Sequence, residues 1–352
     1  MSTPAIAATD RRDLRRRLLK GLVIAAVSIS VGWLGIRLVG RIQWSAVGDA
    51  LAHLAWWQGA ALAVMLGARQ LLNATPVARF VPGLTLGRAV QNDLSANLAG
   101  TLTPPPGDVV IRVAMFRSWG INPVDGMAGV TLNSIVFYGA RFIAPVLGLA
   151  LFATSGAENG QWLSAGLSGA LAVVIIGALV LIMRSEGWAV TLATHAARLV
   201  GKMRASVDRE AWITAATTFR AQVAQTLRTH LFPALAGMLC AVVVDGVILT
   251  ASIRFVGIDA GTLGTADIIG AFLMAYPLTI LPLFGLGVMD AILIAGWTAI
   301  AGLEHEATLL AGTVVWRTVT LGGTLVLGAA AAAWWRRTTG TATPAGSTEA
   351  SP

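Results

Sequence analysis

The chain has 352 residues, 56% hydrophobic and only 12% charged, with a mean hydropathy of +0.73 and a formal charge of +8. Soluble domains carry about 25% charged residues, so this composition excludes an ordinary soluble globule and implies an integral membrane protein. The basic residues cluster between apolar stretches, as in cytoplasmic loops, so no nucleic-acid partner is expected; the single cysteine, Cys240, lies in an apolar run and excludes an intrachain disulfide or a cysteine-based metal site.

In chain order, Arg11 to Arg17 form a basic flank, and residues 1–17 are expected to be a cytoplasmic N-terminus. The apolar run Leu18 to Val39 is long enough to cross a bilayer; a twin-arginine export signal at Arg15-Arg16-Arg17-Leu18-Leu19-Lys20 is the rival reading. Further spans are expected at Ala50 to Leu72, Gly126 to Thr154, Trp162 to Met183, Leu231 to Ile253, Ala266 to Leu281, Gly285 to Leu303 and Thr308 to Trp335. Gly87 to Thr103 is apolar but short and dotted with Gln91, Asn92, Asp93 and Asn97, which suits a re-entrant hairpin. The predicted fold is therefore an all-α integral membrane bundle of about eight transmembrane helices plus a re-entrant hairpin, one polytopic domain over residues 18–337. This count places Arg69 to Arg88, the turn with Arg112 and Arg117, and Trp334 to Arg337 in the cytoplasm, with both termini, at the inner cell membrane. The 184–230 loop carries seven basic and three acidic residues, and either lies on the inner leaflet as helices or forms a solvated cytoplasmic hairpin. Residues 338–352 are small and polar, a disordered tail.

Two apolar stretches break off into Pro/Gly turns: Thr103-Pro104-Pro105-Pro106-Gly107-Asp108 and Thr279 through Pro282-Leu283-Phe284-Gly285-Leu286-Gly287. A frayed helix end offers unpaired backbone groups to a polar ligand, so Pro106, Gly107, Pro282, Gly285 and Gly287 are candidates to line a transport path. Each break is followed by an acid and then a span bearing an arginine. These are Asp108 and Arg141, 33 residues apart, then Asp290 and Arg317, 27 apart. The echo suggests an internal two-fold repeat, parallel or inverted.

Arginine in mid-span costs roughly 2.5–3.5 kcal/mol even on insertion scales, so Arg141 and Arg317 need compensation. Asn133, Phe137 and Arg141 share one helical face, and Thr313 and Thr320 share that of Arg317. Asp245 is the lone charge within Leu231 to Ile253. As structure, these charges would pair and lock the bundle. As function, Arg141, Arg317 and Arg112 would hold a lipid phosphate, with Asp108, Asp245 and Asp290 balancing charge or coupling protons. Asp108 and Arg112, four residues apart, also fit a simple helix-surface ion pair.

Asp-x-Asp, His-Glu-x-x-His and P-loop signatures do not occur, which leaves metal-dependent glycosyl transfer, zinc hydrolysis and ATP use without a basis. Glu304-His305-Glu306 has consecutive ligand types that cannot converge on one face; a polar turn is expected there, with no metal and no cofactor.

The run from Thr103 to Gly120, mid-span Arg141, the Pro282 to Asp290 turn and the Trp316-Arg317 pair together resemble the transmembrane flippase-like domain of lysylphosphatidylglycerol synthases, over about Arg41 to Arg337. In that resemblance Gly107, Asp108 and Arg112 match a Gly-acid-Arg motif, and Arg141 the arginine of Glu-Arg-x-x-Asp. Gly285, Gly287 and Asp290 match Pro-Gly-Gly-x-Gly-x-x-Glu, and Arg317 matches a Tyr-Arg pair. Ala140 and Ala144 stand where that pattern has acids, and Leu283 and Phe284 where it has glycines. The resemblance implies a bundle that binds or translocates lipids between leaflets. No segment of these 352 residues is long or polar enough for the aminoacyl-transfer domain, so no enzyme activity is expected. The expected function is binding or translocation of an anionic lipid, carrying a phospho- or polyprenyl-phosphate head group. The alternatives are a secondary transporter of a soluble anion or a non-catalytic scaffold for a glycosyltransferase. The expected partners are membrane lipids, with another membrane protein in the scaffold case.

Overall fold

The computed structural model describes residues 54–103, 106–152, 209–281 and 285–340, with a few further helical residues between 170 and 194. Among the described residues every regular element is helical. The helices are α1 (Trp56–Phe80), α2 (Leu86–Leu102), α3 (Gly107–Ser118), α4 (Pro123–Phe152), α5 (Arg209–Phe255), α6 (Thr265–Ala275), α7 (Val288–Ala301), α8 (Glu306–Arg317) and α9 (Thr324–Gly340). A 3₁₀ turn, Tyr276–Ile280, extends α6, and a π turn, Thr318–Gly323, joins α8 to α9.

Three stretches are long and apolar enough to cross a membrane: Pro123–Leu151, Thr229–Phe255 and Leu303–Thr339. The expected spans at 18–39 and 162–183 fall outside the described residues or on isolated helical positions, so the count of eight rests on sequence alone. The expected crossings at 266–281 and 285–303 fall on Thr265–Ile280 and Val288–Ala301, apolar helices of 10–17 residues. At 1.5 Å per residue α7, with 14 residues, reaches about 21 Å, short of a hydrocarbon core of about 30 Å. The α2–α3 pair is similar, about 25 Å and 18 Å for 17 and 12 residues. In chain order one pair of short helices, α2–α3, precedes the longer α4, and another, α6–α7, precedes α8–α9. The second part of the 184–230 segment is helical. Residues 209–230 run without interruption into the following span, as one helix of 47 residues.

Helices α1 and α5 pack antiparallel. Trp57 near the start of α1 meets Phe255 at the end of α5, ring centroids 5.4 Å apart, and Thr75 lies beside Gly237. Arg69 is then 12 residues from Trp57 and 11 from Phe80, about 18 Å and 17 Å, which puts it at mid-height. The core is apolar around this level: Ile248, Leu249, Phe272, Leu293, Trp297 and Trp316 are all buried. Large apolar side chains such as Trp56, Val64, Val110, Phe232 and Val326 point outward, as a lipid-facing surface requires.

Hydrophobic attraction between helices is absent in lipid, so close contact depends on small residues. At the α4–α6 crossing, a Cβ on Gly148 would lie 2.9 Å from the carbonyl oxygen of Gly270 and 3.1 Å from the amide of Met274. Gly148→Ala is expected to lower stability by about 1–3 kcal/mol through overpacking. Gly67→Ala, where a Cβ meets nothing within 4 Å, is expected to be neutral or mildly stabilising. Thermal unfolding of the purified protein in one detergent compares the two.

Candidate functional site

The second break shows why its glycines are there. Gly285 has φ +73°, and a Cβ would sit 2.7 Å from the Leu278 carbonyl oxygen, so conformation and space both demand glycine. Gly287, at φ +86°, precedes α7, and its amide donates to Asp290 Oδ2 at 2.9 Å. Asp290 thereby caps the helix start, where the macrodipole favours a carboxylate. Its other oxygen, Oδ1, accepts from Arg317 Nε at 2.8 Å and lies 2.7 Å from Nη2. The Arg317 guanidinium also stacks on Trp316, 4.1 Å from the ring centroid. Both charges are buried and paired, although the contact of Arg317 Nη2 with Asp290 is an ion pair without hydrogen-bond geometry. Thr313 and Thr320 turn their hydroxyls back to Leu309 and Trp316 carbonyls and leave Arg317 to the acid.

Asp245 closes a second pair. Its Oδ2 accepts from Arg69 Nη2 at 3.1 Å and its Oδ1 from Trp316 Nε1, also at 3.1 Å. Adjacent residues of α8 thus engage both buried carboxylates. The oxygens of Asp245 and Asp290 are thus held by cations, an indole and a backbone amide.

Arg112 does not pair with Asp108. It turns inward to α2, donating from Nη1 to Asn92 Oδ1 and from Nη2 to Asp93 Oδ1, each at 2.8 Å. A planar guanidinium spans neighbouring Asn and Asp acceptors, and Asn97 holds the other Asp93 oxygen at 3.3 Å. The partner four residues away along the same helix therefore loses to two acceptors on the facing one. Asp108 stays in the first turn of α3 with no ion pair among the described residues. Pro106 precedes that helix, and a Cβ on Gly107 would overlap Thr103 Oγ1. Pro282 lies outside the described residues.

Arg141 is the exception. Only 3% of it is exposed, yet among the described residues it meets no carboxylate. Its Nε donates to Thr279 Oγ1 at 2.7 Å, and Thr279 in turn donates to the Tyr276 carbonyl at 2.6 Å. The guanidinium lies 3.6 Å from the Phe137 ring centroid, with Tyr138 and Tyr276 at 5.9 and 6.0 Å. One helical turn beyond Phe137, the buried Asn133 Oδ1 has no hydrogen-bond partner. The two halves of the chain meet here, because Arg141 on α4 reaches the 3₁₀ turn of the second break. The order of break, acid and arginine recurs in both halves, but only the second half closes its own acid–arginine pair.

A family model described as the lysylphosphatidylglycerol synthase transmembrane region matches residues 19–328. The chain belongs to that family. A search of the curated proteins finds no match. The match spans all the charges described above, from Arg69 to Arg317. The lysylphosphatidylglycerol synthase transmembrane region is the membrane part of such synthases and not itself the catalytic part. It makes this chain a membrane protein of a family related to lipid handling.

Within this member of the family, sequence reasoning missed Arg69, Tyr276 and Thr279. Arg69 was expected at the cytoplasmic end of the Ala50 to Leu72 span, in the stretch Arg69 to Arg88, but α1 continues to Phe80 and carries it inside. The available signal was Asp245, since a lone acid within a span demands a cation from another helix. Glu304-His305-Glu306 falls at the α7–α8 connection, with His305 Nδ1 3.0 Å from the Ala301 carbonyl oxygen. Among the described residues no three His, Cys, Asp or Glu side chains converge as a metal site.

The pairs and the exception differ in how they should respond to substitution. Asp290→Asn and Asp245→Asn each strand a buried arginine and are expected to cost about 3–5 kcal/mol. Arg141→Gln removes a buried cation that has no counter-charge, so no loss of stability is expected from it. Unfolding in mixed micelles measures all three.

Proposed function

We propose that this protein binds an anionic lipid and translocates it between leaflets, with Arg141 holding the phosphate. The observation that carries this reading is that a buried mid-span arginine meets no carboxylate among the described residues. A purely structural arginine would be paired, as Arg317, Arg69 and Arg112 are. Access from the lipid side is supported by the neighbours of Arg141. Tyr138, whose ring approaches the guanidinium, is 44% exposed, and Val146, Leu147, Ile280 and Leu281 nearby in sequence or at the second break are exposed too. In a bilayer such apolar surface faces acyl chains.

In this reading the broken-helix residues Gly107, Gly285 and Gly287, with Pro106 and Pro282, shape the path. Arg317 and Arg112, already paired with Asp290 and Asp93, keep the helices in register. The basic clusters favour cytoplasmic termini at the inner cell membrane. Membership in a lipid-related family favours lipid over a soluble anion as the ligand.

The test is reconstitution into liposomes containing a fluorescent anionic phospholipid, with an impermeant quencher added outside. Wild-type protein is expected to expose label from the inner leaflet, and Arg141→Ala, folded and equally stable, to fall to the level of empty liposomes. Folded wild-type protein that never exceeds empty liposomes, across several anionic head groups, would sink the proposal.

A further inference from the structure

Three groups at mid-height, two of them buried and Arg69 half-buried, keep hydrogen-bonding capacity that their present partners do not use. Among the described residues Arg141 engages only Nε, through Thr279. Arg69 engages only Nη2, at 3.1 Å from Asp245, a looser contact than the 2.7–2.8 Å of Arg317 with Asp290. Asp245 can give Arg69 little more, because its other oxygen is occupied by Trp316. The third group is the Tyr276 hydroxyl, which donates to no described residue although the side chain is only 8% exposed.

These groups belong to one neighbourhood. The Tyr276 ring centroid lies 6.0 Å from Arg141 Cζ, and the Tyr276 carbonyl holds the threonine that holds Arg141. On its other side Tyr276 packs edge-on against Phe272 at 5.3 Å. Phe272 meets Trp316 at 5.8 Å, and Trp316 binds the carboxylate of the Arg69 pair. Arg69, Arg141 and Asp245 all act electrostatically on the Tyr276 phenol, and Arg69 acts on Arg141. Asp245 pairs with Arg69, and Arg141 meets no carboxylate among the described residues, which leaves one positive charge without a counter-ion there in an apolar interior. Such an arrangement is costly when empty and favourable around an anion.

We infer that Arg69, Tyr276 and Arg141 form one oxyanion site, in which a phosphate-type group accepts hydrogen bonds from both guanidinium groups and the phenol. Asp245 holds Arg69 in position beside it. The site rests on the anion-binding reading of Arg141 and extends it to two residues on other elements, α1 and the 3₁₀ turn. A bound oxyanion would then tie α1, α4 and the second break together, which gives the ligand leverage over the arrangement of both halves. Phosphate chemistry of this kind is offered equally by a lipid head group and by a free anion.

Binding of dihexanoylphosphatidylglycerol and of inorganic phosphate to the full chain in an uncharged detergent separates these cases, with Kd taken from calorimetry. The variants are Arg141→Gln, Tyr276→Phe and the charge-neutral double variant Arg69→Gln/Asp245→Asn, each checked for folding by its unfolding transition. Each variant is expected to weaken binding about tenfold or more, the loss of one charge-assisted hydrogen bond. If Arg141→Gln loses binding while Tyr276→Phe and the double variant bind like wild type, Arg141 acts alone; the three-residue site is then overturned and the anion reading survives. If wild-type protein binds neither probe, both fall together. Tight binding of phosphate without the lipid would uphold the oxyanion site and overturn lipid as its source.

Discussion

Charge compensation away from water is the constraint on which this bundle depends. A charged group buried in an apolar interior costs several kcal/mol unless a partner of opposite sign and enough hydrogen bonds surround it. The protein meets this cost with pairs that reach from one helix to another. Arg69–Asp245 joins α1 to α5, Arg317–Asp290 joins α8 to the start of α7, and Arg112–Asp93 joins α3 to α2. Each pair works only when its two helices stand in one register, so the charges specify an arrangement that apolar packing alone would leave loosely defined. Trp316 and Arg317 extend the effect, because two consecutive side chains address carboxylates on two different helices.

The backbone poses the same problem in a weaker form. A helix that stops inside an apolar layer exposes amides and carbonyls that lipid cannot satisfy. At the second break the solution is local: the Gly285 amide donates to the Leu281 carbonyl, and the Gly287 amide donates to Asp290. Asp290 thus serves the backbone with one oxygen and Arg317 with the other. The integrity of the break and the placement of Arg317 are consequently one structural problem rather than two. At the first break Asp108 also lies in the first turn of its helix, α3, but pairs with no arginine among the described residues, so the two breaks use their acids differently.

Much of this was legible from residue order. Hydropathy marked the apolar stretches, Pro/Gly runs marked both breaks, and the rule against lone intramembrane charges singled out Arg141, Arg317, Asp245 and Asp290. Helix ends and partner choice were not legible. Arg69 and Arg79 resemble a basic flank in sequence, and only the continuation of α1 to Phe80 moves Arg69 inward. Spacing suggested Asp108 for Arg112, but a facing helix offered adjacent Asn92 and Asp93, a better match to a planar guanidinium than one acid four residues away. Tyr276 and Thr279 carried no signal at all, since their importance comes from a 3₁₀ turn that brings them to an arginine 138 residues earlier in the case of Thr279.

That Arg141 meets no carboxylate among the described residues gains its meaning from these other pairs. A bundle able to supply counter-ions for three arginines was not short of means to supply a fourth, and positions 140 and 144, beside and one turn from Arg141, hold alanines that are themselves fully buried. What surrounds Arg141 instead is a hydroxyl and three aromatic rings, which orient a cation and stabilise it only in part. Such surroundings keep the guanidinium in place while leaving its charge available. A carboxylate there would improve stability but would have to be displaced by any incoming anion, and the binding energy would be spent on that exchange. Partial compensation by aromatic faces and Thr279 therefore suits a group that must repeatedly take up and release an anion, where a closed pair such as Arg317–Asp290 suits one that must not move.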